Sequence, residues 1–307
     1  MNIYKPEGWL IDTQENQKAL KTLASLQQAY RERRILEARA IICDSKHDLH
    51  VDLGCMTGVI PREEGALGIA DGTVRDIAVI SRVNKAVCFY IEGFGTAENG
   101  RGYAILSRRA VQEDCRREYI AKLTPGDVID CRVTHLEPFG AFADIGCGIP
   151  SLLPIDMISV SRITHPDDRF TVGMNIKCIV KGIEEDGKVS LTHKELLGTW
   201  KQNAALFKAG ETVAGVVRSV ESYGIFVELT PNLAGLAESH PGVYVGQQAC
   251  VYVKSILEDK MKVKLVLIDT FDEAHTPELP KYFFTGVHMD SFKYSPEEAE
   301  KQVEIFF

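Results

Sequence analysis

Leu20, Leu23, Leu26 and Tyr30 recur at helical spacing behind Asp12 and Glu15, a capping-box pair, so the chain is expected to open on a helix ending in Arg31, Arg33 and Arg34. From Ile35 the period changes. Apolar residues come in short runs, Ala38 to Ile42, Leu49 to Leu53, Ile77 to Val83 and Val87 to Ile91, separated by turn residues, which predicts strands. A helical stretch from Ser107 to Leu123 carries Arg108, Arg109, Arg116 and Arg117. The turn Thr124-Pro125-Gly126-Asp127 then restarts the strands: Val128 to Val133, Gly140 to Ile145, Ile176 to Ile183 and Lys188 to Thr192. A second helical linker, about His193 to Phe207, leads into Gly210-Glu211 and four more strands, Val213 to Val220, Gly224 to Leu229, Ala249 to Ile256 and Lys262 to Ile268.

The restart is an internal repeat. Phe139-Gly140-Ala141-Phe142-Ala143-Asp144-Ile145 aligns with Tyr223-Gly224-Ile225-Phe226-Val227-Glu228-Leu229 at an offset of 84 residues, and the same offset carries Gly126-Asp127 onto Gly210-Glu211 and Ser151-Leu152 onto Gly235-Leu236. A weaker copy precedes them, with Asp52-Leu53-Gly54 matching Asp144-Ile145-Gly146. Short strands repeated at this length, each unit with one longer connection, fit a mainly β chain of three tandem five-stranded OB-fold barrels, the first degenerate. The divisions are residues 1–34, an N-terminal helical segment; 35–123, the degenerate barrel and a helical linker; 124–205 and 206–270, two further barrels; and 271–307, a C-terminal extension. In that extension Ser295-Pro296-Glu297-Glu298 predicts a helix start, and Tyr282, Phe283, Phe284, Phe292, Tyr294, Phe306 and Phe307 predict a segment that packs on the third barrel or on a partner.

Charge narrows the function. The chain carries a formal −8 over 307 residues, so a ligand cannot be held mainly by a broad basic field. Eight acids and three lysines place −5 of that in residues 271–307, which leaves room for local basic strips elsewhere. The eight cysteines form no CxxC pair and no metal-spaced set, which predicts buried reduced thiols and no metal or cofactor. No apolar run suits a membrane span or a leader, and no phosphate loop, GxSxG or HExxH motif is present, so a cytoplasmic protein that is not an enzyme and has no small-molecule substrate is expected.

The order Gly-Asp/Glu, strand, Phe/Tyr-Gly-Ala/Ile-Phe-x-Asp/Glu, a Gly/Ser-Leu turn and a late Lys-Val-x-Leu strand resembles the S1 RNA-binding domain of the ribosomal protein S1 family, from Ile35 to about Asp269. The resemblance implies binding of single-stranded RNA, including messenger RNA, in translation, and attachment of the first barrel to the small ribosomal subunit. It places base-stacking rings at Phe139 and Phe142 and at Tyr223 and Phe226, and an acid and a base at Glu184 and Lys188. In the third unit the corresponding positions are Leu257, which cannot act as the acid, and approximately Lys262. Pro154 and Glu238 stand where the family often has histidine.

Phosphate contacts are further expected from Arg132, Arg218, Lys254, Lys262 and Lys264, the last two alternating onto one face. Two rings three residues apart on a regular strand would face opposite ways, so sharing a groove requires Gly140 and Gly224 to permit a bulge or bend. In the first unit His47 and His50 take the ring positions, which makes it a docking module rather than a base-stacking site. A protein-interaction scaffold with little RNA binding is the competing reading, as is an accessory subunit of an RNA-processing enzyme.

Overall fold

A computed structural model describes residues 3–184, 187–273 and 276–307. The N-terminal segment is two short helices, α1 (Gln14–Leu20) and α2 (Leu23–Arg31), rather than one. Thr13, not Asp12, caps α1, its hydroxyl accepting from the Asn16 amide, and Thr22 with Ser25 forms a capping box that begins α2. A chain that satisfies two sets of first-turn amides starts two helices.

The first barrel follows, closed in the order β1 (Leu36–Cys43), β2 (Leu49–Asp52), β3 (Thr57–Ile60), then β5 and β4; α3 (Ile77–Ile80), β4 (Ala86–Thr96), β5 (Gly102–Ser107) and α4 (Arg109–Glu118) complete it along the chain. The second barrel comprises β6 (Val128–Glu137), β7 (Gly140–Asp144), β8 (Pro150–Pro154), β9 (Asn175–Ile183) and β10 (Val189–Thr192). After α5 (Trp200–Ala204), β11 (Thr212–Glu221), β12 (Gly224–Thr230), β13 (Leu233–Ala237), β14 (Gln248–Leu257) and β15 (Lys262–Phe271) close the third. The expected second linker helix is interrupted: Gly198, at φ 87°, ends a 3-10 turn over Lys194–Leu197, and α5 starts afresh from a Thr199–Gln202 capping box.

The chain forms two compact units, Met1–Leu123 with Asp144–Pro150, and Thr124–Ala143 with Ser151–Phe307. In the first, the barrel core of Leu36, Leu49, Val51, Ile60, Phe89 and Leu106 is joined by Leu26 and Ala29 of α2. Arg108, at the start of the expected helical stretch, is buried and grips Glu7 through Nε at 2.6 Å and Nη2 at 2.9 Å. Burial alone would raise the Glu7 pKa, but Arg108, Arg82 and the Cys88 amide together hold the carboxyl below its ordinary value.

Glu37 is the opposite case. Its Oε2 accepts the amides of Gly8, Leu10 and Ile11 at 3.1, 2.9 and 2.9 Å, while buried Oε1 has no partner among the described residues. Burial, with Glu7 nearby, pushes its pKa up to about 8 against those three donors. The folded state therefore retains a proton that the unfolded chain releases near 4.5. Below that pH the stabilising term is fully present, and it is lost as pH rises toward 8. The melting temperature of the parent relative to Glu37→Gln is expected to fall between pH 5.5 and 8.5; a difference that does not move with pH would show that Glu37 is ionised throughout.

In the second unit the C-terminal extension is not helical at Ser295. It forms a hairpin of β16 (Ser291–Lys293) and β17 (Glu304–Phe306). Ser295 Oγ, which suggested a helix cap, accepts the Val303 amide at 2.9 Å and closes a loop instead, with Gln302 donating to the Ala299 carbonyl at 2.8 Å. The segment packs on both barrels of its unit. Tyr282, Phe284, Met289, Phe292 and Phe307 cover Val128, Ile179 and Leu196 of the second, whereas Tyr294 reaches the third, donating its hydroxyl to the Asn232 carbonyl at 2.7 Å.

The second and third barrels share a buried ion cluster. Glu228 of β12 accepts from Arg218 of β11 at 2.9 Å and from Arg169 of the β8–β9 connection, and Arg218 also reaches Asp168 at 2.6 Å. Burial disfavours the Asp168 carboxylate, yet Arg218 holds its pKa below the ordinary range. Asn232 adds a polar joint, donating to the carbonyls of Lys194 at 2.7 Å and Gly198 at 2.8 Å and accepting the Val160 amide at 3.1 Å. The second and third barrels therefore belong to one packed body.

Candidate nucleic-acid interface

Phe139 occupies the tight turn between β6 and β7, and Tyr223 the turn between β11 and β12, each one residue before the strand begins. A turn residue is free of strand alternation, so no bulge at Gly140 or Gly224 is needed to bring it beside the ring three positions on. Phe139 and Phe142 meet edge to face with centroids 6.1 Å apart, and Tyr223 and Phe226 do so at 6.2 Å. The outer rings are 55% and 67% exposed, whereas Phe142 and Phe226 are half-buried, so each pair has one ring fixed by packing and one standing in solvent.

The glycines serve a different purpose. A Cβ at Gly224 would lie 2.5 Å from the Ala237 carbonyl oxygen and 2.9 Å from Leu236 Cδ1, and one at Gly140 would overlap the Leu153 carbonyl oxygen and press on Leu152. Bare backbone at these positions lets the third strand pass close beneath the rings and lays Leu152 or Leu236 against the groove. Gly224→Ala is expected to cost about 1–3 kcal/mol, because the colliding atom is backbone that cannot turn away. Gly182→Ala, whose Cβ would meet only Ser190 Oγ at 3.5 Å, is the control. Equal denaturation midpoints for the two variants would refute the close-approach account.

Strand register sets the rest of the face. In the third barrel Phe226 pairs with Leu236 and Leu236 with Lys264, giving one row across β12, β13 and β15. Lys262 and Lys264 are exposed and alternate with buried Val263 and Leu265, so both lysines stand on the face of Phe226. Lys254, also exposed, lies at a register shift of β14 between Val253 and Ser255, the latter opposite Lys264. In the second barrel Leu152 pairs with Ser190, which replaces the lysine of that row. Glu184 and Lys188 are exposed at the β9–β10 hairpin, joined by the Glu184 amide to the Lys188 carbonyl at 2.8 Å.

Two of the expected cations differ in placement. Arg218 is no surface phosphate contact: it is buried and committed to Glu228 and Asp168. The cause is a bulge of β11 between Val217 and Ser219, invisible to a count of alternating residues, which turns this side chain into the ion cluster. Arg132 is half-buried on β6, with Nη1 3.4 Å from Asn175 Oδ1.

A third ring was not anticipated. His135 of β6 stacks on Phe142 with centroids 6.5 Å apart and planes 28° from parallel, and its Nε2 lies 2.7 Å from Glu137 Oε1. Its signal was the offset of 84, which carries His135 onto Ser219, the residue paired with Phe226. The second barrel thus presents His135, Phe139 and Phe142, whereas the third presents two rings and a lysine strip.

In the first barrel the two histidines do not form an equivalent pair. His47 Nδ1 lies 3.2 Å from Asp76 and His50 Nε2 lies 3.1 Å from Asp44, so each is held by its own carboxylate.

The S1 RNA binding domain family matches residues 122–194, which span the second barrel. The small ribosomal subunit protein bS1 of Staphylococcus aureus (strain COL) is 31% identical over 275 residues, 84% of this chain and 67% of that protein. The chain belongs to the ribosomal protein bS1 family. Its similarity to bS1 of Rhodopseudomonas palustris is 31% over 71% of the chain, and to the bS1 homolog of Bacillus subtilis 33% over 56%. Matched segments cover 40% and 46% of those two proteins, so the chain corresponds to less than half of either relative. The three closed five-stranded barrels are the OB-fold architecture expected of S1 domains. Among the described residues no helix is long and apolar enough to cross a membrane.

Proposed function

We propose that this chain binds single-stranded RNA, messenger RNA included, on the ring-bearing faces of its second and third barrels, and that it acts in translation in association with the small ribosomal subunit. The observation that carries the reading is the repeated construction of one solvent-facing ring and one packed ring over a leucine, with lysines on the same face of the third barrel. Stacking is worth about 1–3 kcal/mol per base and does not depend on net charge, so it is available to an acidic chain. Lys254, Lys262 and Lys264 supply a short phosphate-tracking strip for the third barrel, and Lys188 stands at the edge of the second. With only about four phosphates neutralised, the logarithmic salt dependence of binding has a slope of about −3 or shallower. The names of the bS1 relatives motivate the ribosomal association, which co-sedimentation with small subunits tests.

The deciding experiment is a fluorescence-anisotropy titration of the parent and Phe142→Ala with U-rich and A-rich oligomers. At unchanged melting temperature the variant is expected to bind about 5- to 150-fold more weakly. Parent affinity no greater than for a plain polyanion, indifferent to the substitution, would favour a protein scaffold instead.

A further inference from the structure

The first barrel lacks the ring pair on β2, yet the corresponding face is not blank. An open cleft of about 840 Å³ lies there, lined among others by His50, Met56, Val59, Arg101 and Tyr103. Its register repeats that of the third barrel: His50 pairs with Val59 and Val59 with Ile105, as Phe226 pairs with Leu236 and Leu236 with Lys264. Two residues before Ile105, Tyr103 occupies the place that Lys262 holds in the third barrel. The aromatic group has moved from the second strand of the barrel to the fifth.

The surroundings suit a ring with an open face. Tyr103 pairs with Gly95 of β4, where a Cβ would lie 2.7 Å from the tyrosine Cζ, so the ring rests on bare backbone. A Cβ at Gly102 would make only ordinary contacts, 3.8 Å from the Gly95 carbonyl oxygen and 4.0 Å from the Met56 methyl, so this wall of the cleft is uncrowded. Beside the ring, Arg101 is exposed, and its guanidinium makes no hydrogen bond or ion pair among the described residues. By contrast, Arg62, Arg109 and Arg117 of the same unit are each committed to carboxylates.

We propose that this cleft is a third nucleobase site, in which Tyr103 stacks a base of single-stranded RNA and Arg101 contacts the adjoining phosphate. The proposal rests on the reading that the chain binds such RNA. A planar ring beside an uncommitted guanidinium matches one nucleotide, base and phosphate together. An extended peptide is the poorer occupant, because the barrel is closed and offers no strand edge for addition.

The test is photo-crosslinking of the full chain to a U-rich oligomer carrying 4-thiouridine, with crosslinked peptides mapped by mass spectrometry. Crosslinks are expected at the segment containing Tyr103 as well as at those containing Phe142 and Phe226. Tyr103→Leu should reduce the first signal at least about fivefold and leave the others, and Tyr103→Phe should retain it. Arg101→Glu, at an exposed position, gives the same loss without disturbing packing. Crosslinks confined to the Phe142 and Phe226 segments would overturn this inference and leave the wider reading intact. Crosslinks at Tyr103 alone would do the reverse, and none anywhere would remove both.

Discussion

Glu228→Ala is expected to destabilise the second unit by about 3–5 kcal/mol, the range for removing one partner of a buried ion cluster. Glu228 is the only carboxylate among the described residues that pairs with both Arg169 and Arg218, and all three side chains are almost fully buried. Its loss leaves Arg169 without an acid partner, and Arg218 with only Asp168, whose side chain is 21% exposed. Burial already pulls the Arg169 pKa down, and Glu228 is the main group opposing that pull. Asp168→Ala should cost markedly less, since Arg218 retains Glu228 and solvent can reach the gap. Replacing Glu228, Arg169 and Arg218 together by apolar residues of similar volume should recover much of the loss, because the penalty comes from an uncompensated charge rather than from a missing attraction. Urea unfolding reads all three. A Glu228→Ala loss below about 1 kcal/mol would mean that water reaches the cluster and screens it, and no recovery in the triple variant would mean that the missing attraction, not the uncompensated charge, sets the penalty.

That cluster also marks how far the fold could be read before it was seen. The offset of 84 residues placed two barrels and both ring pairs, because strand starts, turns and rings all repeat at one spacing. What it could not supply was information carried by pairing between strands. Arg218 looked like its surface neighbours until a bulge in β11 turned it inward, and His135 was passed over because only the hairpin register sets it against Phe142. Tyr103 is harder still: its groove position depends on the parallel pairing of β3 with β5, some 45 residues apart in the chain. The expected helix at Ser295 failed for a local reason, since the same hydroxyl serves equally well to close a loop when β17 returns beside β16. The glycines were expected to permit a bulge or bend, whereas the close approach of the third strand, which only strand pairing reveals, also requires them.

Combining Phe142→Ala with Phe226→Ala is expected to lower RNA affinity by about 2–6 kcal/mol, the sum of two stacking losses, provided the oligomer is long enough to lie on both barrels. The condition follows from the packed second unit, in which Glu228 and Asn232 join the barrels, so bases of one strand stacked on both are expected to dissociate together. With such an oligomer each single variant weakens the same bound state, and the fold-losses multiply. With an oligomer of about four nucleotides, near the lower limit of an OB-fold site, the barrels bind separately. Either single variant then removes one class of site and leaves the other at its parent affinity. Lengthening the oligomer should therefore raise the parent's affinity steeply and the double variant's only slightly, because effective concentration helps only when both grooves can hold a base. The two faces should also differ in kind. Salt should weaken binding more strongly in Phe142→Ala, which depends on the lysine strip of the third barrel, than in Phe226→Ala, which depends on the three rings of the second. Losses that multiply equally for short and long oligomers would show that the rings do not act on separate bases, and the assignment of two grooves to one strand would fall.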